Sequence, residues 1–188
     1  ASFTYHRARN FNLHHMVPSW FVPPIGIVAA AVAFPGGAFE GFAHVLLWVG
    51  LFAYAVMLPL MLYRLIFHPE IPDAAKPTIA ILAAPASLSL AGYLTLMANP
   101  SPIVVAVLGG IAVAMTALIY LSFLHLLRMP FCLGFSAFTF PLVIGATALF
   151  KTVTWMESLG ASANLMEQVR VLANLELYVA TAVVLYVS

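Results

Sequence analysis

Charged side chains are the scarcest class in this sequence. Seven basic and six acidic residues make up 7% of the 188 residues, whereas hydrophobic residues make up 64%. Soluble domains carry about 25% charged residues, and a chain with so few cannot cover itself with a water-facing surface. The composition therefore predicts an integral membrane protein. The formal net charge of +1 gives no reason to expect nucleic acid as a partner.

Cysteine is almost absent, and the common motifs of enzymes and metal sites are missing. Cys132 is the single cysteine, which excludes a disulfide within the chain. The sequence contains no glycine-rich phosphate loop and no GxSxG motif. The histidines show neither HxxxH nor HExxH spacing, so we predict no metal site and no cofactor. They are His6, His14, His15, His44, His68 and His125.

Six apolar segments, named A to F here, approach the roughly 20 residues that a helix needs to cross a bilayer. A covers residues 18–34, B 39–67, C 78–97, D 102–127, E 133–150 and F 165–188. Short connections make neighbouring segments antiparallel hairpins, so residues 1–188 are predicted to form a single transmembrane domain. Residues 3–15, with Arg7 and Arg9, have the character of a loop between helices. This indicates that the numbering begins partway through a longer protein.

The basic residues predict how the helices are oriented. If residues 3–15 are cytoplasmic, five basic residues lie inside and two outside, in agreement with the positive-inside rule. The five are Arg7, Arg9, Arg64, Lys76 and Arg128, and the two are Lys151 and Arg170. The C-terminus is then cytoplasmic as well.

Prolines distinguish alternate segments. A contains Pro23 and Pro24, C contains Pro85 and E contains Pro141, while Pro59 in B is the exception. A proline inside an α-helix removes a backbone hydrogen bond and costs about 3 kcal/mol. Because the freed carbonyl must be sheltered from hydrocarbon, we expect A, C and E to lie inside, around a cavity. B, D and F would then face lipid.

The spacing of these prolines suggests a repeat. Pro24, Pro85 and Pro141 recur at intervals of about 60 residues, as a repeated hairpin of one inner and one outer helix would produce. Two other interpretations remain open. Proline is common in membrane helices that line no pore. Pro23 and Pro24 also fit the first turn of a helix, where proline costs little.

The predicted inner segments contain no ionisable side chain. A path between them would select by size, dipoles and weak hydrogen bonds, and no proton relay is visible along it. Candidate lining residues include Gly26, Ala84 and Thr139 beside the prolines. Small residues serve close packing between helices equally well.

Phe138 and Phe140 flank Thr139 just before Pro141. At 3.6 residues per turn their rings point roughly 200° apart, so only one of them can face a central cavity. A ring beside Pro141 would occlude a narrow path near the middle of the membrane. From the residues alone, aromatic packing is the preferred explanation of the pair.

The acids of segment F allow two interpretations. Glu176 is ionisable at membrane depth and is thus a functional candidate. A structural partner is the preferred interpretation, and a late start of F would leave Glu176 near the headgroups. Glu167 and Arg170, three residues apart, predict an exposed ion pair.

Two stretches resemble one known family. Residues 14–24 read HHMVPSWFVPP and residues 137–141 read AFTFP, while AAPAS at 83–87 gives weaker support. They are similar to the tellurite-resistance/dicarboxylate transporter family, which includes the bacterial protein TehA and the plant slow-type anion channels. The resemblance extends from about residue 5 to the end, and AFTFP is its most specific part.

This resemblance implies an all-α membrane protein of ten helices, arranged as five hairpins around a quasi-five-fold central pore. Segments A to F correspond to the last six helices, and the first two hairpins are absent from this chain. The resemblance implies that Phe140 gates the pore, that Phe138 packs outward, and that small anions are transported without a cofactor. It also implies a homotrimer in the lipid bilayer of the cell inner (plasma) membrane.

The leading hypothesis is therefore an anion channel or transporter. One alternative is a structural membrane subunit without its own pore. Another is a membrane-embedded enzyme, which would need polar residues converging at one depth. The sequence leaves the substrate open among tellurite, dicarboxylates, chloride, nitrate and sulfur oxyanions, and does not distinguish passive from proton-coupled transport.

Overall fold

The fold of the chain was analysed in a computed structural model, which describes residues 16–68, 73–126 and 133–187. All regular elements in these ranges are helical. The α-helices are α1 (Val22–Gly26), α2 (Ala29–Val32), α3 (Glu40–Phe67), α4 (Ala84–Leu96), α5 (Pro102–Leu126), α6 (Thr139–Ser158) and α7 (Ala163–Val187). Three 3₁₀ segments precede α1, α4 and α6, namely Pro18–Phe21, Asp73–Ala83 and Leu133–Phe138.

Several predictions from the sequence concern residues outside the described ranges. They include the basic residues Arg7, Arg9 and Arg128, the histidines at 6, 14 and 15, and Cys132. The side chain of His125 is likewise outside the described part. The orientation in the membrane therefore stays a prediction.

Five helical spans are long and apolar enough to cross a membrane, which confirms the all-α membrane class. They are Glu40–Phe67, Lys76–Leu96, Pro102–Phe123, Gly134–Ser158 and Ala163–Val187. Two of them join a 3₁₀ segment to the α-helix that follows. These five spans correspond to segments B to F, whereas the sequence predicted about six.

Segment A does not form the single long helix that we expected. Its described part consists of one 3₁₀ turn followed by α1 and α2, which are five and four residues long. The turn between them uses three-residue backbone bonds, such as the one from the Val28 N–H to the Ile25 carbonyl at 2.9 Å. Pro23 and Pro24 lie in the first turn of α1, where a missing N–H costs little, so they do not account for the break after Gly26.

Burial alternates along the chain as predicted for inner and outer helices. In the most apolar stretch of each span, 78% of the residues in Lys76–Leu96 and 44% in Gly134–Ser158 are buried. The corresponding shares are 22% for Glu40–Phe67, 22% for Pro102–Phe123 and 17% for Ala163–Val187. Segments C and E thus lie inside, and B, D and F carry the exposed apolar faces that suit lipid contact.

Glycines hold segment A close to its neighbours. A Cβ at Gly92 of α4 would lie 2.9 Å from Cγ1 of Val28, and a Cβ at Gly50 of α3 would overlap the Val28 side chain. Val28 itself is fully buried. The short helices of A are therefore wedged between α3 and α4, where only glycine leaves them room.

Segment E extends further than predicted. We placed its end at residue 150, but α6 continues to Ser158. The polar residues after Phe150 are compatible with a helix because their hydroxyls bond back to the preceding turn, as Thr152 does to the Ala148 carbonyl at 2.8 Å. The helix ends before Gly160, whose φ of 66° suits a glycine terminator.

Candidate functional site

Prolines mark the points where the inner segments change helix type. Pro23 is the second residue of α1, Pro85 the second of α4 and Pro141 the third of α6. In the first turn of an α-helix the N–H groups have no partner within the helix, so proline loses nothing there. The interruptions predicted at these prolines are thus changes from 3₁₀ to α, not kinks in the middle of α-helices.

The three 3₁₀ segments pack against each other in chain order. Pro18–Phe21 contacts Asp73–Ala83, which in turn contacts Leu133–Phe138. The points at which A, C and E change from 3₁₀ to α-helix therefore lie side by side in the fold. This arrangement agrees with the repeated hairpin that the proline spacing suggested.

The predicted site residues do not share one surface. Ala84, Pro85 and Pro141 are buried, Pro24 and Thr139 are partly buried, and Gly26 and Phe140 are exposed. Every residue of α4 from 84 to 93 is buried, so α4 presents no exposed wall to a path. Among the inner segments, the exposed faces belong to A and E.

Phe138 and Phe140 lie on opposite sides of segment E. Phe138 is 1% exposed, whereas Phe140 is 50% exposed. The Phe138 ring packs edge-on against Phe123 of the outer helix α5, with ring centroids 5.2 Å apart, and against Phe135 at 5.1 Å. The structure thus places Phe138 in the core and leaves the face of Phe140 unoccupied by described residues.

Phe140 belongs to an exposed row of side chains that we call the α6 stripe. At 100° per residue its members fall within an arc of about 100°. They are Phe140, Val143, Thr147, Phe150, Lys151 and Thr154, all exposed or partly exposed. Sequence analysis missed Lys151 as a member because it ended segment E one residue earlier. The signal that would have revealed Lys151 is its register, 11 residues after Phe140.

A cavity of about 650 Å³ lies between α5, α6 and α7, away from the α6 stripe. Its lining is almost entirely apolar, with Tyr120 and Glu176 as its two titratable side chains. Because α5 and α7 are outer helices, this cavity opens between the outer helices of neighbouring hairpins. It is not the central cavity that we predicted between A, C and E.

Glu176 is buried in the middle of α7. It is 4% exposed, and its Oε2 accepts a hydrogen bond from the Tyr120 hydroxyl. α7 begins at Ala163, 13 residues before Glu176, so the helix itself does not start late. Tyr120 is the structural partner that the sequence could not name. A charged acid at a helix centre costs about 2.5–3.5 kcal/mol on insertion scales, so this site is expensive to ionise.

The two oxygens of Glu176 differ in their surroundings. Oε1 is buried and has no hydrogen-bond partner among the described residues. It lies against Gly145 of α6, where a Cβ would be 2.9 Å away. The absence of a side chain at Gly145 is therefore what lets the acid approach the inner helix.

The predicted ion pair between Glu167 and Arg170 is not formed. Arg170 instead reaches across the hairpin and donates to Glu157 of α6, with Nη2 and Oε1 2.6 Å apart. Because α6 continues past residue 150, Glu157 comes within reach near the turn between α6 and α7. Both side chains are 48% exposed, so this is a surface pair.

No group of three or more His, Cys, Asp or Glu side chains in the described ranges is arranged to hold a metal ion. His44 lies 3.8 Å from Glu40 on the first turn of α3, a local pair one helical turn apart.

Fold and burial define a multi-pass helical membrane protein with inner and outer helices. The whole chain, residues 1–188, matches the sequence profile of the SLAC1 family, described as voltage-dependent anion channels, and the chain belongs to this family. This confirms the resemblance to the tellurite-resistance/dicarboxylate transporter family. It also supports membrane transport of anions at the level of the family.

Two curated proteins of Methanocaldococcus jannaschii are similar to this chain. They are named uncharacterized transporters MJ0762 and MJ0576, and each is 26% identical over 160 residues, covering 72% of this chain. The matched region is 46% and 45% of their respective lengths. This chain therefore spans about half the length of the relatives it matches.

Proposed function

We propose that this chain forms part of a path for small anions, occluded by the ring of Phe140. The single observation that supports this most is the contrast between the two rings beside Pro141. Phe138 packs in the core, whereas Phe140 is half exposed on the α6 stripe. A large apolar ring on an exposed face, at the change of helix type, is well placed to close a narrow path.

The charge of the α6 stripe suits an anion path better than its hydroxyls do. Thr147 and Thr154 donate to carbonyls of the preceding turn at 2.9 Å and 3.3 Å, so in this state they offer no hydrogen-bond donor to an anion. Lys151 adds one positive charge, which attracts anions and repels cations.

The further parts of the proposal come from the family. The remaining wall of the path would be supplied by further hairpins of the family fold, in a homotrimer in the plasma membrane. Tellurite, dicarboxylates and inorganic anions are the candidate substrates. No cofactor is invoked, because conduction needs no covalent chemistry.

The test is Phe140→Ala in the complete protein, with anion conductance recorded in planar bilayers. Removal of the ring is expected to raise conductance at least several-fold. Phe138→Ala is the matched control. It removes a ring of the same kind, but from a buried position two residues earlier in the chain. Unchanged conductance in a folded Phe140→Ala protein would contradict the gate.

A structural membrane subunit without its own path is the second candidate, favoured by the burial of every residue of α4 from 84 to 93. The two candidates differ in one measurement. Purified protein in liposomes releases trapped chloride if it conducts and retains it if it is a structural subunit, both before and after Phe140→Ala.

A further inference from the structure

Glu176, Tyr120 and Gly145 meet at one point, although they belong to three different helices. Tyr120 of α5 donates to Oε2, while Oε1 is buried without a hydrogen-bond partner among the described residues. Oε1 faces the backbone of the inner helix at Gly145. Oε2 of Glu176 thus accepts a hydrogen bond, whereas Oε1 has no partner among the described residues, in the middle of α7.

We propose that Glu176 is a proton-binding site, with the proton on Oε1, and that its occupancy controls how closely α7 packs on α6. A proton from water converts the carboxylate to a carboxylic acid, with bonding electrons supplied by Oε1. Tyr120 keeps its own proton and continues to donate to Oε2. No other reactant takes part.

Among the described residues around Glu176 there is no competing charge. Tyr120 is the titratable group that α5 turns towards Glu176. On the inner side, α6 presents Gly145, and Lys151 six residues later lies about 240° around that helix. α4 contributes Ser87 and Leu90 to the cavity lining, and neither side chain is titratable. Residues 134–138 of the preceding 3₁₀ segment carry no titratable side chain.

Arg170 and Glu167 are the charged residues on the same helix, six and nine residues before Glu176 and towards the outer end. Arg170 is already paired with Glu157. A bare carboxylate at Glu176 therefore has no cation to neutralise it within the described helices. Protonation is the available route to a neutral site.

Protonation is linked to the position of the inner helix. A neutral carboxyl can remain in contact with the backbone at Gly145, whereas an ionised one needs water at Oε1. Making room for that water separates α7 from α6. Phe140 lies five residues before Gly145 on α6, so an effect on anion flux follows, and that effect rests on the proposed function.

Infrared spectroscopy of the complete protein in bilayers tests the proton site without any transport. Raising the pH should remove a carboxylic C=O band that is absent in Glu176→Gln and present in Glu167→Gln, an exposed acid of the same helix. In Tyr120→Phe the band should shift, because its oxygen loses a hydrogen bond. If wild type and Glu176→Gln show the same carboxylic bands at every pH, the proton site is refuted.

Chloride flux from liposomes tests the link to the inner helix. Wild-type flux should vary with pH, and Glu176→Gln should make it at least several-fold less sensitive, with Glu167→Gln as control. A wild-type pH profile in Glu176→Gln would overturn the coupling while leaving conduction intact. Absence of flux in every variant would instead contradict the proposed function, and the infrared result would still decide the proton site.

Discussion

Val28 fills the space that a side chain at Gly50 would need. A Cβ at Gly50 would overlap Cγ2 of Val28, and one at Gly92 would lie 2.9 Å from Cγ1 of the same valine. One side chain of segment A therefore sets the distance to both α3 and α4. The packing of three segments depends on this contact.

Gly50→Ala is expected to destabilise the protein by about 1–3 kcal/mol, the usual cost of adding a methyl group to a tightly packed site. Thermal unfolding in detergent measures the change. Gly41→Ala on the same helix is the matched control, because a Cβ there meets nothing within 4 Å. Equal stability of the two variants would contradict the tight packing of Val28 against Gly50. The double variant Val28→Ala with Gly50→Ala should recover part of the lost stability.

Phe138 and Phe140 should differ in stability as well as in conductance. Phe138→Ala removes a buried ring and is expected to cost about 3–5 kcal/mol. Phe140→Ala removes an exposed ring and should cost about 0.5 kcal/mol. Denaturation of the two variants under the same conditions checks this, and a larger loss for Phe140→Ala would mean that the ring is packed rather than free.

Lys151 should contribute to selectivity if the α6 stripe faces the path. Lys151→Glu reverses its charge and is expected to lower the ratio of anion to cation permeability on the order of tenfold, from the Coulomb energy of a partly screened charge. Reversal potentials in asymmetric chloride solutions measure the ratio. Lys151→Arg keeps the charge and should leave it near the wild-type value. A ratio that stays constant in Lys151→Glu would place the path elsewhere.

The Arg170–Glu157 pair should contribute little to stability. Both side chains are 48% exposed, and surface pairs contribute about 0.2–1 kcal/mol. A double-mutant cycle with Arg170→Gln and Glu157→Gln should give a coupling in that range, which high salt should abolish. Glu167→Gln should show no coupling to Arg170. Coupling of Arg170 to Glu167 instead would favour the pairing within one helix that the sequence predicted.

Features that depend on the length of apolar segments and on the helical repeat could be predicted from the sequence. The scarcity of charge and the long apolar runs gave the membrane class, and 100° per residue placed Phe138 and Phe140 on different sides. The long 3₁₀ segment Asp73–Ala83 was not predictable. A 3₁₀ turn differs from an α turn by one residue in its hydrogen-bond partner, and packing decides between them.

Other errors came from polar residues interpreted only locally. Segment E is predicted to end at residue 150, whereas the threonines that follow bond their hydroxyls to carbonyls within the same helix. Arg170 was paired with the nearest acid along the chain, whereas the hairpin brings Glu157 closer in space. Tyr120, 56 residues from Glu176, could not be found by any local rule.

The 3₁₀ backbone of segment C makes its span taller than its residue count suggests. Residues 76–83 of the membrane span are in 3₁₀ form. At about 2.0 Å per residue they extend about 16 Å, against about 12 Å at the α-helical rise. Rewinding them to α would shorten the span that carries Pro85 by about 4 Å, which a thinner bilayer would favour and a thicker one would oppose.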